Sequence, residues 1–460
     1  MITLSGDTGA ASTTATPGTI HGESKHPARK RLLTFGSASA PTTALHQGVL
    51  SLADQGVASI TNFVTGVIIA RSSSKEEFGL YMLGFSLILL VTDLQTSVIA
   101  TPYMVYAPRL KGRAHALYAG STLVHQILFS LLGMLALACG AFATRFGIGP
   151  RGLGTVLWAL GATVGLIMLR EFVRRICFAG LKLRSVLVFD ICVGLAQVGG
   201  LLILARLGAL SASTAYWVIG PVCGIAAVSW LWMEKRSFHP RLSHSVEDLK
   251  RNWTFGRWVF ASGLVYTASA NLYPWLLAFF HGAAAAGVFA ACVGVVSASN
   301  PALLGLQNFL GPKTAHEFAS NGQRGLRRLV LKISAVLALP AGLLTVVLIL
   351  WGDRFVALLY GSRYAGNGLI VAVLALNLLV SAVGFSFSRA LLAMERASVD
   401  FGLNLVALVT MLTLGLWLVR SHGALGAAAG LLGANLATSL VKAGIFLQYP
   451  IYTPSPQEVC

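Results

Sequence analysis

The sequence has few charged residues for its length, and this scarcity limits what the chain can be. Only 11% of its 460 residues are Asp, Glu, Lys or Arg, whereas 55% are hydrophobic. A typical soluble domain carries about 25% charged residues. Apolar runs of about 18 or more residues recur along the chain, and they predict a membrane protein that crosses the bilayer many times as α-helices.

Motifs that carry chemistry are also absent. The sequence has no GxxxxGK[ST] loop for nucleotide phosphates, no HExxH and no GxSxG. Its six cysteines show no CxxC spacing, and its ten histidines are scattered. No connection between apolar runs exceeds about 25 residues, which leaves no large aqueous loop for catalysis. We therefore expect no enzyme activity, no metal and no cofactor, and a membrane enzyme that modifies glycans is a weaker alternative.

The apolar runs predict twelve membrane spans in two groups of six. The predicted spans are 46–70, 79–106, 115–143, 153–171, 185–206, 213–233, 257–280, 284–307, 329–351, 367–390, 399–419 and 424–446. The predicted divisions are a disordered basic tail at 1–44, an N-lobe at 45–233, a linker at 234–256, a C-lobe at 257–447 and a C-terminal tail at 448–460. Within the linker, the spacing of Ser245 and Asp248 predicts the start of a short interfacial helix.

The basic residues predict the orientation of these spans. If the N-terminus is cytoplasmic, 26 of the 34 Lys and Arg residues fall on the cytoplasmic side and 8 on the other. Because membrane proteins concentrate Lys and Arg in cytoplasmic loops, we expect both termini to be cytoplasmic. Topology explains the net charge of +18. The lack of a clustered basic and aromatic surface argues against nucleic acid as a partner.

The second half of the chain repeats features of the first. Gly79 opens the second predicted span, and Gly287 opens the eighth, 208 residues later. Asn62 precedes Gly79 by 17 residues, and Asn271 precedes Gly287 by 16. Since each half holds an even number of spans, the halves have the same orientation. The sequence therefore predicts a parallel pseudo-twofold repeat of the kind found in some transporters.

The first span is polar along one side. With about 100° of turn per residue, its polar residues share an arc of about 160°. They are Ser51, Asp54, Gln55, Ser59, Thr61, Asn62 and Thr65. Lipid disfavours such an arc, so it should face protein or a water-filled cavity. A similar stripe on span 7 includes Asn271. The expected cavity residues are Asp54, Gln55, Asn62 and Asn271.

Ionisable residues at membrane depth are costly to bury and therefore informative. Asp54 and Asp93 are either proton or cation sites for ion coupling, or structural partners in a hydrogen bond or ion pair. Asp190 is expected to pair with Lys182 or Arg184 nearby. Four arginines at the predicted inner ends of spans either pair at the interface or bind phosphate in a cavity. They are Arg170, Arg174, Arg257 and Arg389.

The stretch from Leu50 to Arg109 carries a recognisable pattern. It reads ADQGVASITNFVTGVIIARSSSKEEFGLYMLGFSLILL from Ala53, and TPYMVYAPRL from Thr101. This pattern resembles the polysaccharide and O-antigen translocases of the bacterial multidrug/oligosaccharidyl-lipid/polysaccharide (MOP) flippase superfamily. The signature positions that match are Asn62, Arg71, Glu77, Gly79 and Tyr81.

The resemblance implies an all-α membrane protein of the MATE/MOP-like fold, with two six-helix lobes around a cavity that opens alternately to each side. It implies a flippase that carries a polyprenyl-diphosphate-linked oligosaccharide, an O-antigen or exopolysaccharide repeat unit, across the bacterial inner membrane, with ion or potential coupling. The implied partners are this lipid-linked glycan, the bilayer, and polysaccharide polymerase and export proteins. Two alternatives stay open: a MATE-type drug or cation antiporter, and a non-transporting scaffold of a polysaccharide synthesis complex.

Overall fold

Long helices account for the fold, as the apolar runs predict. A chain in lipid must satisfy its backbone hydrogen bonds internally, and a helix does so within one segment. The computed structural model describes residues 41–298, 300–394 and 396–448. The compact body begins at Gln47, and no β-strand occurs among the described residues.

The helices follow the predicted spans closely. The first half contains α1 (Pro41–Ser72), α2 (Lys75–Gln95), α3 (Thr101–Tyr106), α4 (Gly112–Ala143), α5 (Leu153–Ala179), α6 (Leu183–Arg206) and α7 (Ala212–Met233). The second half contains α8 (Leu242–His281), α9 (Ala283–Ser297), α10 (Asn300–Tyr360), α11 (Gly368–Ala393), α12 (Ala397–Thr410) and α13 (Leu416–Gln448). Two π-helical turns cover Thr96–Ala100 and Met411–Gly415, and 3₁₀ turns cover Ala107–Arg109, Thr144–Phe146, Lys235–Ser237 and Ser362–Tyr364.

Nine helical stretches among the described residues are long and apolar enough to cross a membrane. They are His46–Ser72, Lys75–Arg109, Gly112–Phe146, Leu153–Ala179, Leu183–Arg206, Ala212–Met233, Ser320–Tyr360, Gly368–Ala393 and Gly402–Gln448. The last of these contains two predicted spans. The predicted span 257–280 lies in α8. The predicted span 284–307 begins in α9 and continues into α10. The prediction of an all-α membrane protein is confirmed, and the count of twelve spans stays a prediction.

α10 and α13 each bend sharply at a glycine. Gly322, with φ 59°, divides α10, and Gly423, with φ 57°, divides α13. Glycine adopts a positive φ at little cost, whereas other residues do not. These two positions therefore let one helical stretch turn into the next without a loop. Pro221 and Pro274 lie inside α7 and α8.

The linker runs into the seventh predicted span without a break. After the 3₁₀ turn Lys235–Ser237, α8 begins at Leu242 and continues to His281. The predicted helix start at Ser245 is therefore wrong. Ser245 lies inside α8, and its hydroxyl donates to the carbonyl oxygen of Arg241 at 2.9 Å. A second helix start would have left further backbone N–H groups unpaired, which the continuous helix avoids.

The two halves of the chain meet where α2 crosses α9. A Cβ atom on Gly79 would lie 1.8 Å from the carbonyl oxygen of Ala283, and one on Gly287 would lie 2.4 Å from that of Lys75. Ala283 and Lys75 each stand four residues before the glycine of their own helix, so the contact is reciprocal. This reciprocity accords with the predicted repeat, and the repeat itself stays a prediction.

Two arginines bridge the halves beyond this crossing. Arg71 donates from Nε to the carbonyl oxygen of Leu359 at 2.9 Å and from Nη2 to that of Leu358. Arg363 donates from Nη1 to the carbonyl oxygen of Ser73 and from Nη2 to that of Arg71. Each arginine thus satisfies carbonyl groups at the end of a helix in the other half. We call this region, where α1 and α10 end, the Arg71 end of the bundle.

Candidate functional site

Six charged side chains gather between α1, α5 and α6, and we call them the N-half cluster. α1 supplies Asp54, and α6 supplies Asp190. α5 supplies the other four: Arg170, Glu171, Arg174 and Arg175. Because residues four apart lie on one face of a helix, Arg170 and Arg174 point together toward α6.

Arg174 lies at the centre of the cluster. Its Nη2 donates to Asp54 Oδ2 at 2.7 Å, and its Nε lies 2.6 Å from Asp190 Oδ2. Its Nη1 donates to Glu171 Oε2 at 3.0 Å. Arg170 Nη2 donates to the other Asp190 oxygen at 2.7 Å, and Arg175 Nε donates to Glu171 Oε1 at 2.7 Å. Three guanidinium groups thus meet three carboxylates, and the cluster has no net charge.

The cluster is largely closed to solvent. The side chains of Asp54 and Asp190 are 2% and 0% exposed, and that of Arg174 is 13% exposed. Charges at such depth require partners, because an unpaired buried ion loses its hydration without compensation. Asp54 thus forms an ion pair with Arg174, and a role of Asp54 in ion coupling stays a prediction. Phosphate binding by Arg170 or Arg174 stays a prediction.

Asp190 does not pair with Lys182 or Arg184, the partners that sequence proximity favours. Lys182 precedes Asp190 by eight residues, a helical rise of about 12 Å, whereas α5 presents Arg170 and Arg174 within contact distance. Lys182 Nζ instead donates to Glu234 Oε1 at 2.5 Å. This hydrogen bond holds the pKa of the Glu234 carboxyl below its ordinary value.

The polar arc of α1 divides into a buried and an exposed edge. Asp54 and Thr65 are buried, and Thr65 Oγ1 accepts a hydrogen bond from Gln197 Nε2 of α6 at 2.9 Å. Eleven residues separate the two, about three helical turns, so they share a face. Gln55 and Asn62 are exposed. Contact of Gln55 and Asn62 with a substrate stays a prediction.

A second polar group joins the halves along α2 and α8. The Thr267 hydroxyl donates to Asp93 Oδ2, and Asn271 Nδ2 donates to the carbonyl oxygen of Thr267 at 2.9 Å. Asp93 is exposed, and the π-helical turn Thr96–Ala100, a feature frequent at functional sites, follows closely. The structure thus joins Asp93 to Thr267, which lies one helical turn from Asn271. Thr267 is not among the predicted residues, although its place one turn before Asn271 puts it on the same face.

A third polar group, the C-half cluster, surrounds Lys442 of α13. Its Nζ lies 2.9 Å from Asp400 Oδ1 and donates to Ser388 Oγ at 2.9 Å and Asn404 Oδ1 at 3.0 Å. Lys442 is one of the 26 basic residues that the predicted topology assigns to the cytoplasmic side. One available signal is that Asp400 follows Asp190 by 210 residues, close to the offset of the predicted repeat.

The remaining predicted cations lie elsewhere in the second half. Arg389 of α11 stacks on the ring of Phe385, with Cζ 4.6 Å from the ring centroid, a favourable cation–π geometry. Arg257 lies on α8 and is exposed. Contact of either guanidinium with a phosphate stays a prediction.

Four of the five signature residues, all except Asn62, make contacts toward the Arg71 end. Glu77 Oε2 accepts a hydrogen bond from the backbone amide of Ala212 at 2.6 Å, where its charge complements the dipole at the start of α7. Tyr81 stacks on Tyr216, with ring centroids 5.3 Å apart. Gly79 forms the crossing with α9. The structure thus gives these positions packing and capping roles.

Comparison with known proteins identifies the family. The sequence profile of the family described as "polysaccharide biosynthesis protein" matches residues 45–307, more than half of the chain. No curated protein matches the chain. The resemblance drawn from the first two spans is therefore confirmed at the level of the family.

Solved structures share the fold at low sequence identity. An inward-facing multidrug resistance MATE transporter of the MOP superfamily has a TM-score of 0.68 and 14% identity, covering 85% of this chain and 93% of that one. An outward-facing MATE transporter has a TM-score of 0.56 and 14% identity, covering 88% and 94%. A MOP transporter from Pyrococcus furiosus, described as having a binding pocket of reverse polarity, has a TM-score of 0.60 and 13% identity, covering 88% and 94%. The chain belongs to the polysaccharide biosynthesis protein family and has the fold of the MATE transporters of the MOP superfamily.

Proposed function

We propose that this protein is a flippase that moves a polyprenyl-diphosphate-linked oligosaccharide across the bacterial cytoplasmic membrane. The proposal rests on one observation, the pairing of a polysaccharide biosynthesis family with a transporter fold. Assembly of a polysaccharide outside the cell requires its polar units to cross about 30 Å of hydrocarbon. Alternating access by two lobes would move the glycan while its lipid tail stays in the bilayer.

The contacts at the Arg71 end support a state that is closed on that side. α2 and α9 cross there without side chains between them, and Arg71 and Arg363 tie the ends of α1 and α10 together. The basic residues predict that this end is periplasmic, so the opening would face the cytoplasm. The higher TM-score to the inward-facing MATE structure, 0.68 against 0.56, supports the same state.

The substrate's diphosphate calls for cations, and its sugars call for hydrogen-bonding groups. Arg257 and Arg389 are our proposed partners for the diphosphate, since a guanidinium binds two phosphate oxygens at once. Arg170 and Arg174 would bind the diphosphate by exchanging a carboxylate of the N-half cluster. The exposed edge of α1, with Gln55 and Asn62, would hydrogen-bond sugar hydroxyls together with Asn271.

Asp93 is the acid that we propose for ion coupling. Asp54 has a resident arginine as its partner, whereas Asp93 is exposed on α2 and accepts a hydrogen bond from Thr267 of the other half. Protonation would remove the charge that this hydrogen bond stabilises and would bias the contact between the halves. Asp93→Asn should therefore abolish the dependence of transport on a proton gradient. If that dependence is unchanged, Asp54 becomes the proposed ion-coupling acid instead.

Reconstitution in vesicles tests the proposed function. The vesicles carry a polyprenyl-diphosphate-linked glycan, and its exposure to a membrane-impermeant glycosidase reports movement between leaflets. We expect movement that depends on the protein and exceeds that in protein-free vesicles. Movement at the protein-free rate would contradict the flippase and favour a scaffold in a larger synthesis complex.

Drug or cation antiport is a second candidate, because two of the similar structures are described as multidrug resistance transporters. The same vesicles, given a proton gradient and a fluorescent cationic drug, separate the two functions. We expect no protein-dependent drug accumulation. Accumulation without glycan movement would establish the antiporter instead.

A further inference from the structure

The bend in α10 forms a basic cavity, none of whose lining residues is among the groups that we assign to transport. Its volume is about 440 Å³, and it lies between the helical stretches on either side of Gly322. The lining residues are Glu317, Asn321, Arg324, Gly325, Arg328, Leu329 and Lys332. Three of them, Arg324, Arg328 and Lys332, are exposed cations.

Gly325 keeps this cavity open. A Cβ atom at that position would lie 2.3 Å from Asn321 Cβ and 2.7 Å from Glu317 Oε1. The same carboxylate oxygen accepts a hydrogen bond from Asn321 Nδ2 at 2.8 Å. The only acid in the lining thus has a neutral partner within the lining. Three cations against one carboxylate give the cavity a positive charge that favours an anion.

The cations continue into an apolar stripe on the same helix. Eleven residues make about three turns, so residues at that spacing share a face. Leu339 and Leu350 follow Arg328 at this spacing and are 77% and 63% exposed. Leu343 follows Lys332 in the same way and is 66% exposed. One face of α10 therefore presents a cationic end followed by exposed leucines, over about 33 Å from Arg328 to Leu350.

We propose that this cavity binds the phosphate headgroup of an anionic phospholipid, whose acyl chains lie along the stripe. Guanidinium and ammonium groups pair with phosphate, and the acyl chains cover the exposed leucines. A free phosphate ion would leave the stripe uncovered. A zwitterionic lipid would bring its own ammonium group into a cationic cavity. Basic pockets beside membrane helices are places where anionic headgroups bind.

Lipid binding to the full-length protein in detergent tests the proposal, with native mass spectrometry as the readout. The probes are phosphatidylglycerol, phosphatidylcholine and inorganic phosphate. The test variant combines Arg324→Gln, Arg328→Gln and Lys332→Gln. It should lose about tenfold or more in affinity for phosphatidylglycerol, since each basic residue contributes to attraction of an anionic lipid. Its weaker binding of phosphatidylcholine should not change.

A matched control removes three exposed basic residues of the linker and α8. It combines Arg236→Gln, Arg241→Gln and Lys250→Gln, and it should lose less than about twofold in affinity, because these residues do not line the cavity. A further variant, Leu339→Ser with Leu343→Ser, keeps every charge and should also weaken phosphatidylglycerol binding. This variant tests the contact between the acyl chains and the exposed leucines, and it does so even if the charge variant folds poorly.

Three results would overturn the proposal. The first is wild-type affinity for phosphatidylglycerol in both the charge variant and the leucine variant. The second is an equal loss in the linker control, which would indicate general attraction to a basic surface. The third is displacement of the lipid by inorganic phosphate at matching concentration, which would indicate a site for the free ion.

Discussion

The N-half and C-half clusters neutralise buried acids in different ways. In the first, three arginines face three carboxylates carried by α1, α5 and α6. In the second, Lys442 faces Asp400 and two neutral oxygens. Arginine offers a planar fork of several donors, whereas lysine is a point charge on a flexible stem. We infer that the first cluster ties three helices into a rigid unit, and that the second holds its helices more loosely.

The comparison also bears on where an exchangeable ion would act. Asp54, Asp190 and Asp400 each have a resident cation from the protein, so none of them needs a bound ion to balance its charge. Asp93 differs because its partner is a neutral hydroxyl from the other half. A group whose partner lies across the contact between halves is better placed to link ion binding to movement.

The largest expected effect comes from Arg174→Gln, which leaves Asp54 without a cation and leaves Asp190 with Arg170 alone. Loss of one partner from a buried ion cluster costs about 3–5 kcal/mol, so the unfolding temperature in detergent should fall steeply. Adding Asp54→Asn should restore part of the loss by rebalancing the charge. Arg175→Gln is the control, because Arg175 is 36% exposed and pairs with Glu171 alone. Equal losses in Arg174→Gln and Arg175→Gln would contradict the central role of Arg174.

Gly79→Ala and Gly287→Ala should each disturb the contact between the halves. Their added methyl groups would meet backbone oxygens at 1.8 Å and 2.4 Å, and overpacking of this kind costs about 1–3 kcal/mol. Because the contact is reciprocal, both variants should favour separation at the Arg71 end. Accessibility of a cysteine at Ser86 to a soluble thiol reagent should rise in both. Gly433→Ala is the control, since nothing lies within 4 Å of its added carbon.

Lys442→Met tests the C-half cluster and should cost about 1–3 kcal/mol, the penalty for a buried acid that loses its charged partner. The loss should be smaller than that of Arg174→Gln, because Asp400 is 16% exposed and keeps a hydrogen bond from Asn404. The double variant with Asp400→Asn should recover most of the stability. The measurement is the thermal unfolding temperature of the wild type, Lys442→Met and the double variant. A loss of stability in Lys442→Met that exceeds the loss in Arg174→Gln would reverse our ranking of the two clusters.

The smallest effect concerns the exposed pair of Lys182 and Glu234, whose side chains are 48% and 33% exposed. Glu234→Gln should cost less than about 1 kcal/mol. Because Lys182 lowers the folded-state pKa of Glu234, the pair stabilises the fold above about pH 4.3, the ordinary carboxyl value. This contribution is lost as pH falls through the lowered pKa. The unfolding temperatures of wild type and variant should therefore converge in acid, and a gap that widens there would refute the pairing.

The sequence predicts helices well and partners poorly, for physical reasons. Hydropathy and helical periodicity place α1 and its polar arc, and they identify Asp54 as a residue that lipid would exclude. The partner of a buried charge depends on which helices pack together. Proximity along the chain therefore predicts Lys182 or Arg184 as the partner of Asp190, whereas its partners are Arg170 and Arg174 of α5. Lys442 is missed for the same reason, because its partners come from α11 and α12. The continuity of α8 is missed because the local capping pattern at Ser245 competes with a longer helix that begins earlier.

Crosslinking the two halves in the vesicle assay tests alternating access most directly. Trp275 Nε1 donates to Ser86 Oγ at 2.9 Å across the contact between α2 and α8, so Ser86→Cys with Trp275→Cys in a protein without other cysteines offers a bridge. We predict that a short thiol crosslinker stops glycan movement in the double variant, while each single variant given the same reagent keeps moving glycan. Glycan movement at the full rate in the crosslinked protein would contradict transport by separation of the halves.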